Sequence, residues 1–327
     1  MMDRIKNITY NILDTVWEII LNLLVFFGFK SVRSDADHTA RLDGQTVIIT
    51  GGNKGIGREV SMDAAKRGAR VIIAARDTTA GEDVAVDIRD KVPGSSVSVM
   101  KLDLGSLSSI KSFVADVLQE PRIDILINNA GMMLGSKRTA PESGWELMIA
   151  VNYLGLVYLT MSLLPKLKSS SDPKVINLAS IAHSSTDRIL WEDLKFEKTK
   201  WNWKTAYGQT KLAVVLFTRE LAKRNPWLRA YSVDPGISLT GLFETLDPLD
   251  VAIARSTLVR PLFRSVKSAA NNVVHAMVHD KNKYDPDNNY LYDGRVKIPS
   301  PSARSQSAQK DVWEKTARVL DLESIMN

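Results

Sequence analysis

Apolar positions along this chain fall into two periods, and the alternation between them sets the architecture. Residues 45–50, 71–75, 97–102, 123–127, 174–178 and 229–233 are short runs dominated by valine, isoleucine and other apolar residues, the pattern of buried strands. Between them, the stretch following the glycines of 51–57 through residue 67, residues 144–167 and residues 207–224 carry the longer period of helices. Strand and helix alternate in order, so the expected fold class is α/β, a doubly wound parallel sheet in a single catalytic domain. Each of several strands also delivers a polar or glycine group at its C-terminal end: Asp103, Asn128-Asn129-Ala130-Gly131, Ser180 and Asp234-Pro235-Gly236. That edge is where open parallel sheets bind ligands.

Residues 5–29 (IKNITYNILDTVWEIILNLLVFFGF) form a separate object. Asn7, Asn11, Asp14, Glu18 and Asn22 recur every three or four residues on one helical stripe. Ile5, Ile8, Ile12, Val16, Trp17, Ile19, Ile20 and Leu23 fill the other faces, and residues 24–29 are apolar apart from Gly28. A spanning helix takes about 20 predominantly apolar residues, and Asp14 and Glu18 are expensive at its centre. Residues 1–34 are therefore read as an N-terminal membrane-anchor helix, embedded or interfacial. The alternatives are a short tilted span, or an amphipathic helix packed on its own domain or a partner. A cleaved signal peptide fits less well, because Ser31-Val32-Arg33-Ser34 has no small-x-small site. Residues 35–42 read as a polar linker, 43–300 as the catalytic domain and 301–327 as a C-terminal tail.

With 327 residues, 44% of them hydrophobic and 24% charged, the composition is that of a globular protein without repeats or low-complexity tracts. The absence of cysteine excludes disulfides, cysteine nucleophiles and thiolate metal sites. The histidines, His38, His183, His275 and His279, lack a metal-site spacing backed by other ligands, so no metal is expected. A formal charge of +6 suits anionic cofactors or membrane surfaces. No basic cluster interleaved with aromatics points to nucleic acid.

The first strand runs into Gly51-Gly52-Asn53-Lys54-Gly55-Ile56-Gly57, then a helix and a second strand, which is the Rossmann-type nucleotide-binding context. Glycines let the backbone approach a pyrophosphate, and the helix N-terminus offers it free N–H groups. An acidic residue ending the second strand would accept hydrogen bonds from a ribose 2′-hydroxyl and repel a 2′-phosphate. Here the position carries Arg76, and Lys54 lies in the glycine turn. Two cations facing the adenosine ribose favour NADP(H) over NAD(H). Asp77 follows directly and softens that preference, and an Arg76 that merely caps its strand is the plain alternative.

Tyr207 and Lys211 stand one helical turn apart in Tyr207-Gly208-Gln209-Thr210-Lys211. A lysine ammonium held beside a phenol stabilises the phenolate, so the tyrosine pKa is expected to fall from about 10 toward neutrality. A phenol tuned in this way serves as a proton donor and acceptor near pH 7.

Taken together, T-G-x-x-x-G-I-G at residues 50–57, Asp103-Leu104, N-N-A-G at residues 128–131, Asn152, Ser180, Tyr207, Lys211 and Pro235-Gly236 resemble the short-chain dehydrogenase/reductase family, of the NADP-preferring type. The resemblance covers roughly residues 43–300 with the motifs in order. It is greatest with the membrane-associated retinol dehydrogenase-like group, on the N-terminal anchor, Arg76, the interval between Ser180 and Tyr207 and the segments Ile298-Pro299-Ser300-Pro301-Ser302 and Val312-Trp313-Glu314. It implies Tyr207 as general acid in carbonyl reduction or base in alcohol oxidation, and Lys211 lowering its pKa and holding the nicotinamide ribose. Ser180 would donate a hydrogen bond to the substrate oxygen, and Asn152 would anchor a water that relays protons from Lys211. Gly51, Asn53, Lys54, Gly55, Ile56 and Gly57 would hold the pyrophosphate end, Asp103 and Leu104 the adenine. Asn129, Ala130 and Gly131 would line the groove, and Pro235, Gly236, Ile237 and Thr240 would flank the nicotinamide.

Trp191, Phe196, Trp201 and Trp203 are expected to form an apolar loop at the mouth of the site, with local packing as the alternative. Residues 241–267 read as a mobile substrate lid in which Leu242 and Phe243 meet substrate and Arg255, Arg260, Arg264 and Lys267 form a basic rim. The implied activity is interconversion of a lipophilic alcohol and its aldehyde or ketone (retinoid-, steroid- or lipid-aldehyde-like) at a membrane. The endoplasmic reticulum is the expected location, with lipid droplet and mitochondrial membrane as alternatives, and a homo-oligomer is compatible with the reading. The competing class is a non-catalytic NADP-binding scaffold on the same fold.

Overall fold

Both faces of the central sheet are covered, which is why its strands read as apolar runs rather than alternating ones. The computed structural model describes residues 39–135, 139, 144–238, 263–279 and 284–326. The anchor 1–34, residues 35–38 of the linker, Thr240, Leu242, Phe243 and residues 241–262 of the lid lie outside the described residues.

In chain order the sheet strands are β1 Thr46–Thr50, β2 Arg70–Ala75, β3 Val97–Lys101, β4 Ile125–Asn128, β5 Lys174–Leu178, β6 Arg229–Asp234, β7 Tyr290–Tyr292 and β8 Arg295–Val296. They lie side by side as β3-β2-β1-β4-β5-β6-β7-β8, parallel except for the final antiparallel β7–β8 pair. The order reverses between β1 and β4, and that switch point opens the crevice at the carboxyl ends of the strands.

The helices are α1 Gly55–Lys66, α2 Thr78–Lys91, α3 Leu107–Val117, α4 Leu147–Leu167, α5 Trp203–Arg224, α6 Val266–Val278, α7 Pro301–Arg304, α8 Gln306–Leu320 and α9 Glu323–Met326. Side chains alternate across β1: Val47 and Ile49 pack with Val60, Ala64, Val273 and Met277 from α1 and α6. Ile48 points the other way, into a core shared with Phe113, Leu159, Leu163, Phe217 and Trp313 from α3, α4, α5 and α8. The α4 segment is long and apolar enough to cross a membrane by length and composition, but most of it is buried within this core. Its sequence is apolar all round because the protein, not lipid, surrounds it.

Two differences from the sequence reading concern the C-terminal part. Strands β7 and β8, three and two residues long, extend the sheet beyond β6. The residues after 300, expected as a tail, instead dock on α5. There Trp313 stacks on Phe217 with ring centroids 5.6 Å apart and planes inclined by 13°, its indole N–H donates to the Met326 carbonyl at 2.7 Å, and Trp313 is buried.

Candidate active site

The turn after β1 is built so that backbone, not side chain, faces the crevice. Gly51 and Gly55 adopt φ of +64° and +52°, the left-handed region that favours glycine. A Cβ on Gly57 would lie 2.3 Å from the Gly51 carbonyl oxygen and 2.5 Å from Asn129 Nδ2, so α1 closes onto its own turn only with glycine there. Asn129 Nδ2 donates to the carbonyls of Thr50 at 2.8 Å and Gly51 at 3.2 Å. The Ala130 N–H donates to Thr50 Oγ1 at 2.9 Å. The segment 128–131 thus holds the glycine turn from across the switch point. The N-cap of α1, Lys54, makes no side-chain capping bond, and no acidic residue occupies the first turn. A helix N-terminus left in this state, behind a glycine cradle, suits a dinucleotide phosphate.

Arg76, just past the end of β2, and Lys54, in the glycine turn, are both exposed. Asp77 caps α2, accepting from the Ala80 N–H at 3.0 Å. Asp103 also turns back on its own chain, its Oδ1 accepting from the Gly105 N–H at 2.9 Å, and Leu104 beside it is buried.

The residues expected to carry the chemistry lie on β5's end, α4 and α5. Ser180, just past the end of β5, begins a short 3₁₀ turn, Ile181–Ser185, and its hydroxyl accepts from the Ala182 N–H at 3.2 Å. The same side chain lies near enough to the Tyr207 phenol to hold its pKa down by hydrogen bonding. Lys211 is buried one turn beyond Tyr207, with Nζ donating to the Leu178 carbonyl at 2.8 Å and lying 5.6 Å from the Tyr207 ring centroid. Asn152 sits in a π-helical turn, Ala150–Leu154, inside α4, a local widening common at functional sites. Its amide clamps one residue of the β4 loop: Nδ2 donates to the Met132 carbonyl and Oδ1 accepts from the Met132 N–H, each at 2.8 Å. Gly131 lies between the two, a Cβ there falling 3.5 Å from Asn152 Oδ1 and 3.9 Å from Lys211 Nζ.

The electrostatics differ from the expectation at Tyr207. Burial pushes the phenol pKa up, the Ser180 hydrogen bond opposes that rise, and the Asp234 carboxylate adds to it. One-turn spacing brings the lysine close, but it does not decide how dry the phenol is, and desolvation outweighs the neighbour. Burial also lowers Lys211, to about 8, while Asp234 works to raise it.

Around Tyr207 packs a small apolar cluster of Met133, Met148, Phe196 and Ala206, with Met132, Leu134, Leu190, Trp201 and Trp203 against it. Trp191, expected beside substrate, belongs elsewhere: it packs on the main core, edge-on to Tyr153 at 6.5 Å. Past β6, Gly236 takes φ of +78° and donates its N–H to Asp234 Oδ1 at 2.9 Å, and the Ile237 carbonyl accepts from the Arg264 N–H at 2.8 Å.

Several residues that shape the site escaped the sequence reading. Gly208 lets the Ser180 turn rest against α5, since a Cβ there would lie 2.2 Å from Ser185 Oγ and 3.1 Å from the Ala182 carbonyl. A glycine inside a helix, next to the tyrosine, was the available signal. Asp234 was legible only as a strand-end group and His183 gave no signal, because the contacts with Tyr290 and Ser300 that bury them come from a distant segment.

Comparison with known proteins agrees with this geometry. Residues 45–191 match the short chain dehydrogenase family. The chain is 37% identical over 292 residues to retinol dehydrogenase 13 of Homo sapiens, covering 87% of both chains. It is 36% identical over 314 residues to retinol dehydrogenase 12 of Bos taurus, covering 95% of this chain and 96% of the relative. Among solved structures, the crystal structure of an uncharacterized protein from Mycobacterium Paratuberculosis is similar at TM-score 0.71 and 28% identity, covering 89% of this chain and 98% of that one. The Pseudomonas aeruginosa RhlG/NADP active-site complex shares the fold at TM-score 0.61 and 22% identity, covering 80% and 98%. With a glycine cradle at the switch point, a serine, tyrosine and lysine meeting beside it, and kinship running through most of its length, the chain belongs to the short-chain dehydrogenase/reductase family of oxidoreductases, among its retinol dehydrogenase-like members.

Proposed function

We propose that the protein is an NADP(H)-dependent oxidoreductase that interconverts a lipophilic alcohol and its aldehyde or ketone at a membrane surface. The observation that carries the reading is the meeting of the Ser180 hydroxyl and the Tyr207 phenol, with the Lys211 ammonium behind them, at the carboxyl edge of the sheet. The nicotinamide supplies the hydride when bound; the protein supplies position and the proton. A phenol kept protonated by burial suits the reductive direction, in which Tyr207 Oη gives its proton to the substrate oxygen as charge develops there. The Ser180 O–H donates a hydrogen bond to the same oxygen. The Lys211 ammonium behind the phenol stabilises the phenolate left as the proton leaves. Asn152 Oδ1 keeps a second lone pair for a relaying water.

Gly51, Asn53, Gly55, Ile56 and Gly57 would hold the pyrophosphate, Asp103 and Leu104 the adenine, and Asn129, Ala130, Gly131, Pro235, Gly236, Ile237 and Thr240 the groove toward the nicotinamide. Arg76 and Lys54 would hold a 2′-phosphate. Supporting NADP, both cations are exposed at that end, and Asp77 is engaged in capping α2. For a lipophilic substrate the support is the cluster of methionine and aromatic side chains packed around Tyr207, together with relatives named retinol dehydrogenase. Membrane attachment rests on the apolar pattern of residues 5–29.

The test is turnover by the purified full-length chain with NADPH and all-trans-retinal, then a panel of lipophilic aldehydes and ketones. Tyr207→Phe should lower kcat by about 10²- to 10⁴-fold and leave the NADPH Kd unchanged. Intact cofactor binding with no turnover across the panel would instead favour the scaffold class. Deleting residues 1–34 should move the protein into the soluble fraction, and unchanged membrane recovery would count against the anchor.

A further inference from the structure

His183 is buried and lies outside the four residues that the family resemblance assigns to the reaction, yet both of its ring nitrogens are committed. Nδ1 is 2.8 Å from the Ser180 carbonyl oxygen, and Nε2 is 3.0 Å from the Ser300 backbone nitrogen. A carbonyl can only accept and an amide N–H can only donate, so these two partners fix the neutral tautomer with hydrogen on Nδ1. The Ser180 carbonyl takes a second bond from His183, from its backbone N–H at 3.0 Å. Both acceptor positions of that carbonyl are therefore filled by one residue.

The other end of the contact lies in a segment remote in sequence. Ser300 follows β8 and occupies the N-cap position of α7. The imidazole also faces the Tyr290 ring of β7 at 5.1 Å. Tyr290 Oη donates to Asp234 Oδ2 at 2.9 Å, and Asp234 Oδ1 receives the Gly236 N–H. The charged groups facing the ring are Asp234, from the end of β6, and Lys297, from the segment after β8. Burial favours the uncharged ring and lowers its pKa to about 4, so the neutral tautomer persists through the physiological range.

We propose that His183 is a positioning residue for the reaction: a two-ended strut that sets the Ser180 hydroxyl against Tyr207 by bracing the Ser180 backbone on the C-terminal segment at Ser300. The proposal rests on the oxidoreductase reading of Ser180 and Tyr207. The serine hydroxyl hangs from a 3₁₀ turn of five residues rather than a long helix, so its aim depends on what holds that turn. Gly208 lets the turn approach α5, and His183 holds the turn from the opposite end. A displacement on the order of 1 Å at such a group costs about 100-fold in rate.

The experiment compares His183→Phe, His183→Asn and wild type as full-length protein with NADPH and all-trans-retinal, or the fastest aldehyde of the panel. His183→Phe keeps a ring and removes both bonds; His183→Asn can retain the donor toward the Ser180 carbonyl. The expected result is kcat lowered by about 10- to 100-fold in His183→Phe and partly recovered in His183→Asn, with NADPH Kd held. A side-chain ¹⁵N spectrum should show His183 neutral with its proton on Nδ1, and the ¹³Cζ resonance of Tyr207, which reports the Ser180 hydrogen bond, should move in both variants. Wild-type kcat in a folded His183→Phe, or an unmoved Tyr207 resonance, overturns the proposal. Should His183→Phe fail to fold, the same readouts on His183→Asn decide. A wild type that turns over no aldehyde, yet whose Tyr207 resonance depends on His183, sinks the oxidoreductase reading and leaves the strut standing.

Discussion

Gly57→Ala tests whether the turn after β1 is a phosphate cradle. The added Cβ would lie 2.3 Å from the Gly51 carbonyl oxygen and 2.5 Å from Asn129 Nδ2, where ordinary contact begins at 3.4 Å. The turn must withdraw by about 1 Å, and its nearest neighbour is backbone, which has no rotamer to offer. Withdrawal strains the two Asn129 bonds to the Thr50 and Gly51 carbonyls, each worth about 1 kcal/mol. It also shifts the N–H groups that would face the pyrophosphate. Losing one such charge-assisted bond costs about 1.5–3 kcal/mol, and each 1.4 kcal/mol is about tenfold in affinity. NADPH Kd should therefore rise by about 10- to 100-fold, measured by energy transfer from tryptophan to the bound dihydronicotinamide. Melting temperature of the cofactor-free protein separates loss of the cradle from loss of the fold. Gly94→Ala is the control: Gly94 also has positive φ, +81°, but a Cβ there meets nothing within 4 Å. It should lower stability slightly and leave Kd alone. A folded Gly57→Ala protein that binds NADPH as tightly as wild type would refute the cradle.

Three further outcomes follow from the same geometry. Arg76→Ala should weaken NADPH by about 10- to 100-fold, the loss of one or two charge-assisted bonds to a 2′-phosphate, while NADH Kd stays put; equal weakening of both cofactors would remove Arg76 from phosphate recognition. Burial lowers Lys211 to about 8, so the ammonium is present below that pH and lost as pH rises through it. Carbonyl reduction should fall along the same limb, and Asp234→Asn, which removes the charge that raises Lys211, should move the limb to lower pH; a limb that stays or moves upward contradicts the assignment. Between about 8 and 10.5 the unfolded chain still holds the proton the fold has released, so the Lys211 contribution to stability rises with pH across that window. Gly208→Ala should push the Ser180 turn off α5 and lower kcat by about tenfold without changing NADPH Kd. Adding Ser185→Ala, which deletes the atom 2.2 Å from the new Cβ, should recover most of that loss; no recovery would mean the 3.1 Å approach to the Ala182 carbonyl dominates.

What could be read from the sequence divides along a physical line. Strands β1, β2, β4 and β5 were legible because both faces are buried and their residues show it one by one. Tyr207 and Lys211 were legible because one helical turn makes them neighbours, and Ser180 because it follows a strand end and matches the family resemblance. Strands β7 and β8 were not, since three and two residues are too few to establish a period. Nor was the sorting of the aromatics between Ser180 and Tyr207. Trp191 opens a three-residue 3₁₀ turn, Phe196 and Trp201 lie in irregular chain and Trp203 is the first residue of α5, so no period runs through all four to say which side chain turns inward, and Trp191 joined the main core while the others gathered at Tyr207.

The pKa of Tyr207 marks the limit of spacing as an argument. Residues one helical turn apart are neighbours wherever the helix lies, but the effect of the lysine depends on where its ammonium points and how much water reaches the phenol. Here Nζ donates to the Leu178 carbonyl on β5 and the phenol is buried, so desolvation sets the direction for both groups. Asp234 then acts on both at once, raising Lys211 and Tyr207 together, because it lies at the end of the strand beside them. A carboxylate 23 residues from the lysine in sequence thereby does more to the site's titration than any residue between the tyrosine and the lysine, which is why Asp234→Asn, rather than a change within that helical turn, is the sharper probe of how the proton is managed.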